Sequence, residues 1–221
     1  MIVGSRFNEM MGMESLVFIG AAGGTQNAAA IVDAINDHEK CYSIAGCLDD
    51  DPFAGGGVRV LGPIGEAATI KNVKFVLATF ASVHKQPRVL ELAKILDLPD
   101  SDFATLIHPR ATLSKHTRVG AGSCVAAGVS ISPNATVGKH SFVFQNVVLG
   151  SGVTIHDGVA IANSVSVLGP SAISRSCFLG ANSTIGPGVE LGPGCIVGMG
   201  AVVLRSFPAN STIVGNPGRA I

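Results

Sequence analysis

From Leu106 to Phe207 the sequence repeats with a period of six, and the second place of every block is aliphatic. The blocks read LIHPRA, TLSKHT, RVGAGS, CVAAGV, SISPNA, TVGKHS, FVFQNV, VLGSGV, TIHDGV, AIANSV, SVLGPS, AISRSC, FLGANS, TIGPGV, ELGPGC, IVGMGA and VVLRSF. Their second residues are Ile107, Leu113, Val119, Val125, Ile131, Val137, Val143, Leu149, Ile155, Ile161, Val167, Ile173, Leu179, Ile185, Leu191, Val197 and Val203. A period of six is neither helical nor the alternation of a long strand. It fits a short flat strand followed by a corner, so that three blocks close a triangular coil of eighteen residues and successive coils stack as in other solenoids. At about 4.8 Å per coil the prism is roughly 27 Å long. The sixth position is small or valine in every block but the last, and the third is often Gly, Ala or Ser, as expected of a corner that needs unusual φ/ψ or little bulk. Cys177 and Cys195, eighteen apart at sixth positions, are expected to stack inside as packing. The pattern predicts a left-handed parallel β-helix over residues 103–221.

The residues before it follow a different period. Leu16 to Ile19 form an apolar run broken by Gly20-Ala21-Ala22-Gly23-Gly24, after which Ala28, Ile31, Val32 and Ile35 share one helical face. A second strand fits Ser43 to Leu48 and stops at Asp49-Asp50-Asp51-Pro52, and a third fits Phe75 to Thr79. Gln86-Pro87 opens a helix with Val89, Leu90, Ala93 and Leu96 as its buried stripe. Residues 15–102 therefore read as a small Rossmann-like α/β domain, and residues 1–14 as a disordered lead-in.

Fifteen basic against fifteen acidic residues leave no field to gather nucleic acid or anionic lipid. No apolar run approaches the length of a membrane span, and the first residues lack the apolar core of a signal peptide. The expectation is a cytoplasmic protein without nucleic-acid or membrane partners. Five cysteines, without metal-ligand spacing or disulfide density, read as free thiols. The prism histidines His108, His116, His140 and His156 lie too far apart in sequence for a zinc site between prisms, so no metal is expected.

An α/β domain followed by such a prism resembles the bacterial sugar O-acyltransferase family, which includes sialic acid O-acetyltransferases and N-acetyltransferases of nucleotide-linked amino sugars. The turn FIGAAGG, the segment GCLDDDP at Gly46 to Pro52 and the closing VVLRSFPANSTIVGNPGRAI carry the resemblance. It implies a homotrimer with acetyl-CoA, or another acyl-CoA, as co-substrate in the groove between neighbouring prisms. It also implies a nucleotide-sugar held by the N-terminal domain, with Gly20, Gly23 and Gly24 near phosphate and Asp49 and Asp50 near the base. Backbone N–H groups at a helix start favour an anion, and glycine lets it approach. The same glycines and aspartates also suit a turn that binds nothing. At the other end, Gly198, Arg205, Gly215 and Arg219 occupy the family's CoA-binding places.

The resemblance breaks at the catalytic block. Where the family carries a sequence like VVDHDC, with a general-base histidine, this chain has VLGSGV, so that Ser151 stands in the histidine's place and Gly152 in the acid's. The family's second histidine is replaced by Ala160, while the glycine whose N–H meets the thioester carbonyl is kept as Gly169. The candidate relocated bases are His156 with Asp157 in the following block, with corner structure as the plainer role, and His140 two blocks before the catalytic block. His140 and His116, at fifth positions, read as solvated or lining the trimer groove. An amine arrives at a thioester as its own nucleophile and needs a base less than a hydroxyl does. The expected function is therefore acyl transfer from acyl-CoA to an amino or hydroxyl group of a nucleotide-linked or free bacterial sugar, with the amine favoured. The alternative is a catalytically lapsed hexapeptide protein that binds nucleotide-sugar or CoA in a regulatory or structural role.

Overall fold

The computed structural model of the protein describes residues 12–20, 23–54, 57–79 and 88–221. Strands β1 (Glu14–Ile19), β2 (Tyr42–Leu48), β3 (Val60–Gly62) and β4 (Lys74–Leu77), with helices α1 (Gly23–His38) and α2 (Arg88–Leu96), make the N-terminal unit. The sheet order is β3-β2-β1-β4 and every pairing is parallel. Leu16, Val17, Phe18 and Ile19 have no exposed surface, which is why the central strand is a continuous apolar run instead of an alternating one. Strand β3 was not legible: three residues shortly after a run of glycines carry too little pattern. Helix α1 buries Ala28, Ile31 and Val32 as expected, with Ile35 half-buried.

The stripe expected on α2 is corrected. Val89, Leu92 and Leu96 are buried, whereas Leu90 and Ala93 are only half-buried. The helix lies between its own domain and the prism, and Leu90 leans over Gly158, where a Cβ would sit 2.6 Å from the leucine Cγ. The Gln86-Pro87 opening of this helix lies outside the described residues.

In the prism, seventeen two-residue strands, β5 (Leu106–Ile107) to β21 (Val202–Val203), coincide with the first and second positions of the seventeen blocks. Each pairs in parallel with the strand eighteen residues away, as Thr136 does with Thr154 and Val143 with Ile161. The result is a left-handed parallel β-helix with three faces. Face one runs from β5 through β8, β11, β14, β17 and β20 and is extended by β22 (Thr212–Val214) and β23 (Arg219–Ala220). Face two runs from β6 to β21, and face three from β7 to β19. Second-position side chains from Val125 upward are buried in the interior, while Ile107, Leu113 and Val119 of the first coil are partly buried.

The corners divide their demands between two positions. Third-position glycines answer to space: a Cβ on Gly180 would sit 2.7 Å from the Met199 backbone nitrogen. The unusual φ belongs to the fifth position instead, where every residue except Arg110, Pro170 and Ser206 has φ between 52° and 73°. Asn134, Asn146 and Asn182 stand there, as residues whose short polar side chain tolerates the left-handed region. Cys177 and Cys195 are buried in the sixth-position column, donating to the carbonyls of Gly192 and Pro208, and burial pushes the Cys177 thiol up to about 12.

First positions point outward, yet on face one Leu106, Cys124, Phe142 and Ala160 have no exposed surface. They belong to one core with Leu16, Phe18, Val89 and Phe103. The N-terminal domain is therefore docked on the lower part of face one. Burial under it pushes the Cys124 thiol up to about 12.

Candidate active site

With face one covered, the candidates on the prism separate by vertex. Ser151 is exposed at the vertex between faces two and three, and Gly169 is stacked one coil above it. They touch: a Cβ on Gly169 would run into the Ser151 carbonyl oxygen, and one on Gly150 would lie 2.7 Å from the Gly169 nitrogen. This corner differs from its neighbours, because Pro170 at the fifth position cannot take a positive φ. Arg205 is exposed on the same vertex two coils higher, its guanidinium 5.3 Å from the Phe207 ring centroid. Gly198 stands on the other edge of face two, donating to the Ile213 carbonyl at 2.8 Å. Gly215 (φ 89°) accepts from the Val202 N–H of face two at 3.0 Å, and Arg219 is exposed on β23 opposite Val214. Ser151, Gly169, Arg205, Gly198 and Gly215 thus all border face two.

His156 and Asp157 are elsewhere, on the vertex between faces three and one. The Asp157 Oδ1 accepts the Lys139 N–H at 2.8 Å, the His156 carbonyl accepts the Ser141 hydroxyl at 3.1 Å, and both side chains are exposed. Asp157 thus ties its corner to the coil below, and within one chain the pair does not face Ser151.

His140, expected to be solvated or to line a groove between prisms, is buried within its own chain, 6% exposed. Its ring meets Phe103 edge-on at 4.6 Å, next to the Lys139–Asp100 ion pair of 2.6 Å that ties the prism to the segment leaving the N-terminal domain. The pattern of sixes could not show this, because the covering residues lie outside it. Burial pushes the imidazole below its ordinary value, the Asp100 and Asp157 carboxylates pull it back up, and Lys139 pushes it down again. Unfolding then takes up a proton below about pH 6.5, so stability holds above that value and falls as pH drops toward the folded-state pKa. His140→Asn keeps a residue suited to this corner, and the expected result is a smaller loss of urea midpoint between pH 7.5 and 5.5 than in the parent.

At the carboxyl ends of the N-terminal strands, Gly20 donates to the Leu48 carbonyl at 2.8 Å and Asp49 to that of Gly62 at 3.1 Å, which brings the glycine turn and the acidic loop to one edge. Gly20 has φ 94°, and a Cβ there would lie 2.8 Å from the Thr79 Cγ2. Gly23 is exposed and Gly24 buried in the first turn of α1, and the Thr25 hydroxyl donates to the Gly20 carbonyl. Asp49 and Asp50 each give one oxygen to the loop, accepting from the N–H groups of Asp51 (2.9 Å) and Ile64 (3.1 Å). Sequence reading missed Phe53, 94% exposed in this loop; its only signal was an aromatic residue directly after three aspartates and a proline.

Among the described residues no three of His, Cys, Asp and Glu gather to hold a metal ion, and no helix is long and apolar enough to cross a membrane.

Residues 173–205 match a family model described as the hexapeptide repeat of succinyl-transferase. A mutant perosamine N-acetyltransferase from Caulobacter crescentus, in complex with CoA and GDP-perosamine, superposes over 94% of this chain and 96% of its own, with TM-score 0.79 and 22% identity. The chain shares with that enzyme its fold, an α/β domain followed by a left-handed parallel β-helix. The acetyltransferase domain of PglB from Neisseria gonorrhoeae, with acetyl coenzyme A, matches 95% of this chain and 100% of its own (TM-score 0.69, 23% identity). WeeI from Acinetobacter baumannii matches 94% and 100% (TM-score 0.73, 20% identity). No curated protein matches the chain by sequence.

Proposed function

We propose that the protein is a cytoplasmic, homotrimeric acetyltransferase of the bacterial sugar acyltransferase type, moving an acetyl group from acetyl-CoA to an amino group on a nucleotide-linked sugar. The observation that carries the reading is the gathering of Ser151, Gly169, Arg205, Gly198 and Gly215 around face two, the face next to the one the N-terminal domain covers. The fold shared with acetyltransferases whose structures hold CoA, acetyl-CoA or GDP-perosamine supports it.

In this reading the unprotonated amine attacks the thioester carbonyl carbon, a C–N bond forms, the C–S bond breaks, and the amine's proton leaves with the CoA sulfur. The Gly169 N–H donates in this reading to the oxygen on which charge develops, an interaction stronger in the transition state than before it. Ser151 accepts from or donates to the nucleophile. Arg205 and Arg219 pair with CoA phosphates, and Gly20, Gly23 and Gly24 receive those of the acceptor. Ser151 stands across the prism from face one, so in the proposed trimer any N-terminal domain at this vertex would be a neighbour's.

The test is thiol release from acetyl-CoA with UDP-, GDP- and dTDP-linked amino sugars. Of the five cysteines Cys47, Cys124, Cys177 and Cys195 are buried and Cys41 is half-buried, so the enzyme's own thiols add little signal. Turnover with one of these acceptors is expected. No release from a folded protein that still binds CoA is the result for a lapsed binding protein, the reading that serine in the base's place would then favour.

A further inference from the structure

We propose that Phe53 is the stacking platform for the nucleobase of the acceptor, an assignment that rests on the nucleotide-sugar reading above. Of the large hydrophobic side chains described, it is the most exposed, at 94%. Its backbone is nonetheless fixed: the Phe53 N–H donates to the Asp51 Oδ1 at 2.9 Å, and the Ala54 N–H to the Asp51 carbonyl at 3.1 Å. An aromatic ring held out on a fixed backbone has little ordering entropy left to lose on binding.

The loop leaves the carboxyl end of β2, beside the Gly20 turn at the end of β1. In parallel sheets, ligands bind outside these strand ends. Charge then sets the orientation of the occupant. Asp49, Asp50 and Asp51 repel phosphate, which is directed to the first turn of α1, and the uncharged end of a nucleoside diphosphate is left for the acidic loop. A base offers a π-face to Phe53 and N–H donors to nearby carboxylates.

The chain contains no tryptophan, so Phe53→Trp provides a single fluorescent reporter at the ring's own position. Saturable quenching of Phe53→Trp by GDP, UDP or dTDP is expected, with no quenching by pyrophosphate. In calorimetry Phe53→Ala should weaken the best of the three diphosphates by about 5- to 150-fold, the range of one base–aromatic stack, and Phe53→Leu should recover only part of it. If the parent binds a diphosphate and Phe53→Ala binds it equally well, this assignment alone falls. If the folded parent binds none of the three, the nucleotide-sugar reading falls with it.

Discussion

Phe142→Ala should destabilise the protein by about 3–5 kcal/mol, the cost of truncating a fully buried aromatic residue. In an isolated β-helix the first position faces water and the same change would cost little. Here Phe142 has no exposed surface, packs 4.3 Å from the Phe144 ring centroid, and belongs to the core shared with the N-terminal domain. Val148, the next first-position residue along the chain, lies on face two and is 41% exposed. Val148→Ala should therefore shift the urea midpoint far less. Equal, small shifts for both would show that face one is not covered.

Gly169→Ala should lower kcat/KM for acetyl transfer by about 10²- to 10³-fold, the loss measured when one oxyanion donor is removed elsewhere. The methyl has nowhere to go: it would collide with the Ser151 carbonyl, so either the Gly169 amide or the corner below it must move. The change touches no second-position side chain, so the thermal transition should show the prism still folded. Ser151→Ala should cost less than about tenfold, because an amine nucleophile does not depend on a strong base. A large loss in Ser151→Ala with little in Gly169→Ala would reverse the assigned roles.

The prism was legible in detail because its constraint is local and repeated: one inward aliphatic residue every six positions sets strand, face and coil for each residue in turn. The same register placed Ser151 below Gly169. What it did not convey was the outside of the prism. Read at a period of eighteen, the outward residues of face one are Leu106, Cys124, Phe142, Ala160, Phe178 and Ile196, against Thr112, Ser130, Val148, Ser166, Thr184 and Val202 on face two. That contrast marks the docking face, but only once the three faces are told apart. His140 illustrates the remainder: a fifth-position residue looks solvated until Phe103, which lies before the repeats, is known to lie against it. Helix α2 was misread for the same reason, since Leu90 answers to Gly158 as well as to its own domain.

The central claim is that the acetyl group is transferred at the vertex of Ser151 and Gly169, bordering face two. A crystal structure with a non-hydrolysable acetyl-CoA analogue tests it most directly. The analogue's carbonyl oxygen should lie within about 3 Å of the Gly169 nitrogen, with the pantetheine running along face two toward Gly198 and Gly215. An acyl group seated instead beside His156 and Asp157, on the vertex between faces three and one, would contradict the claim.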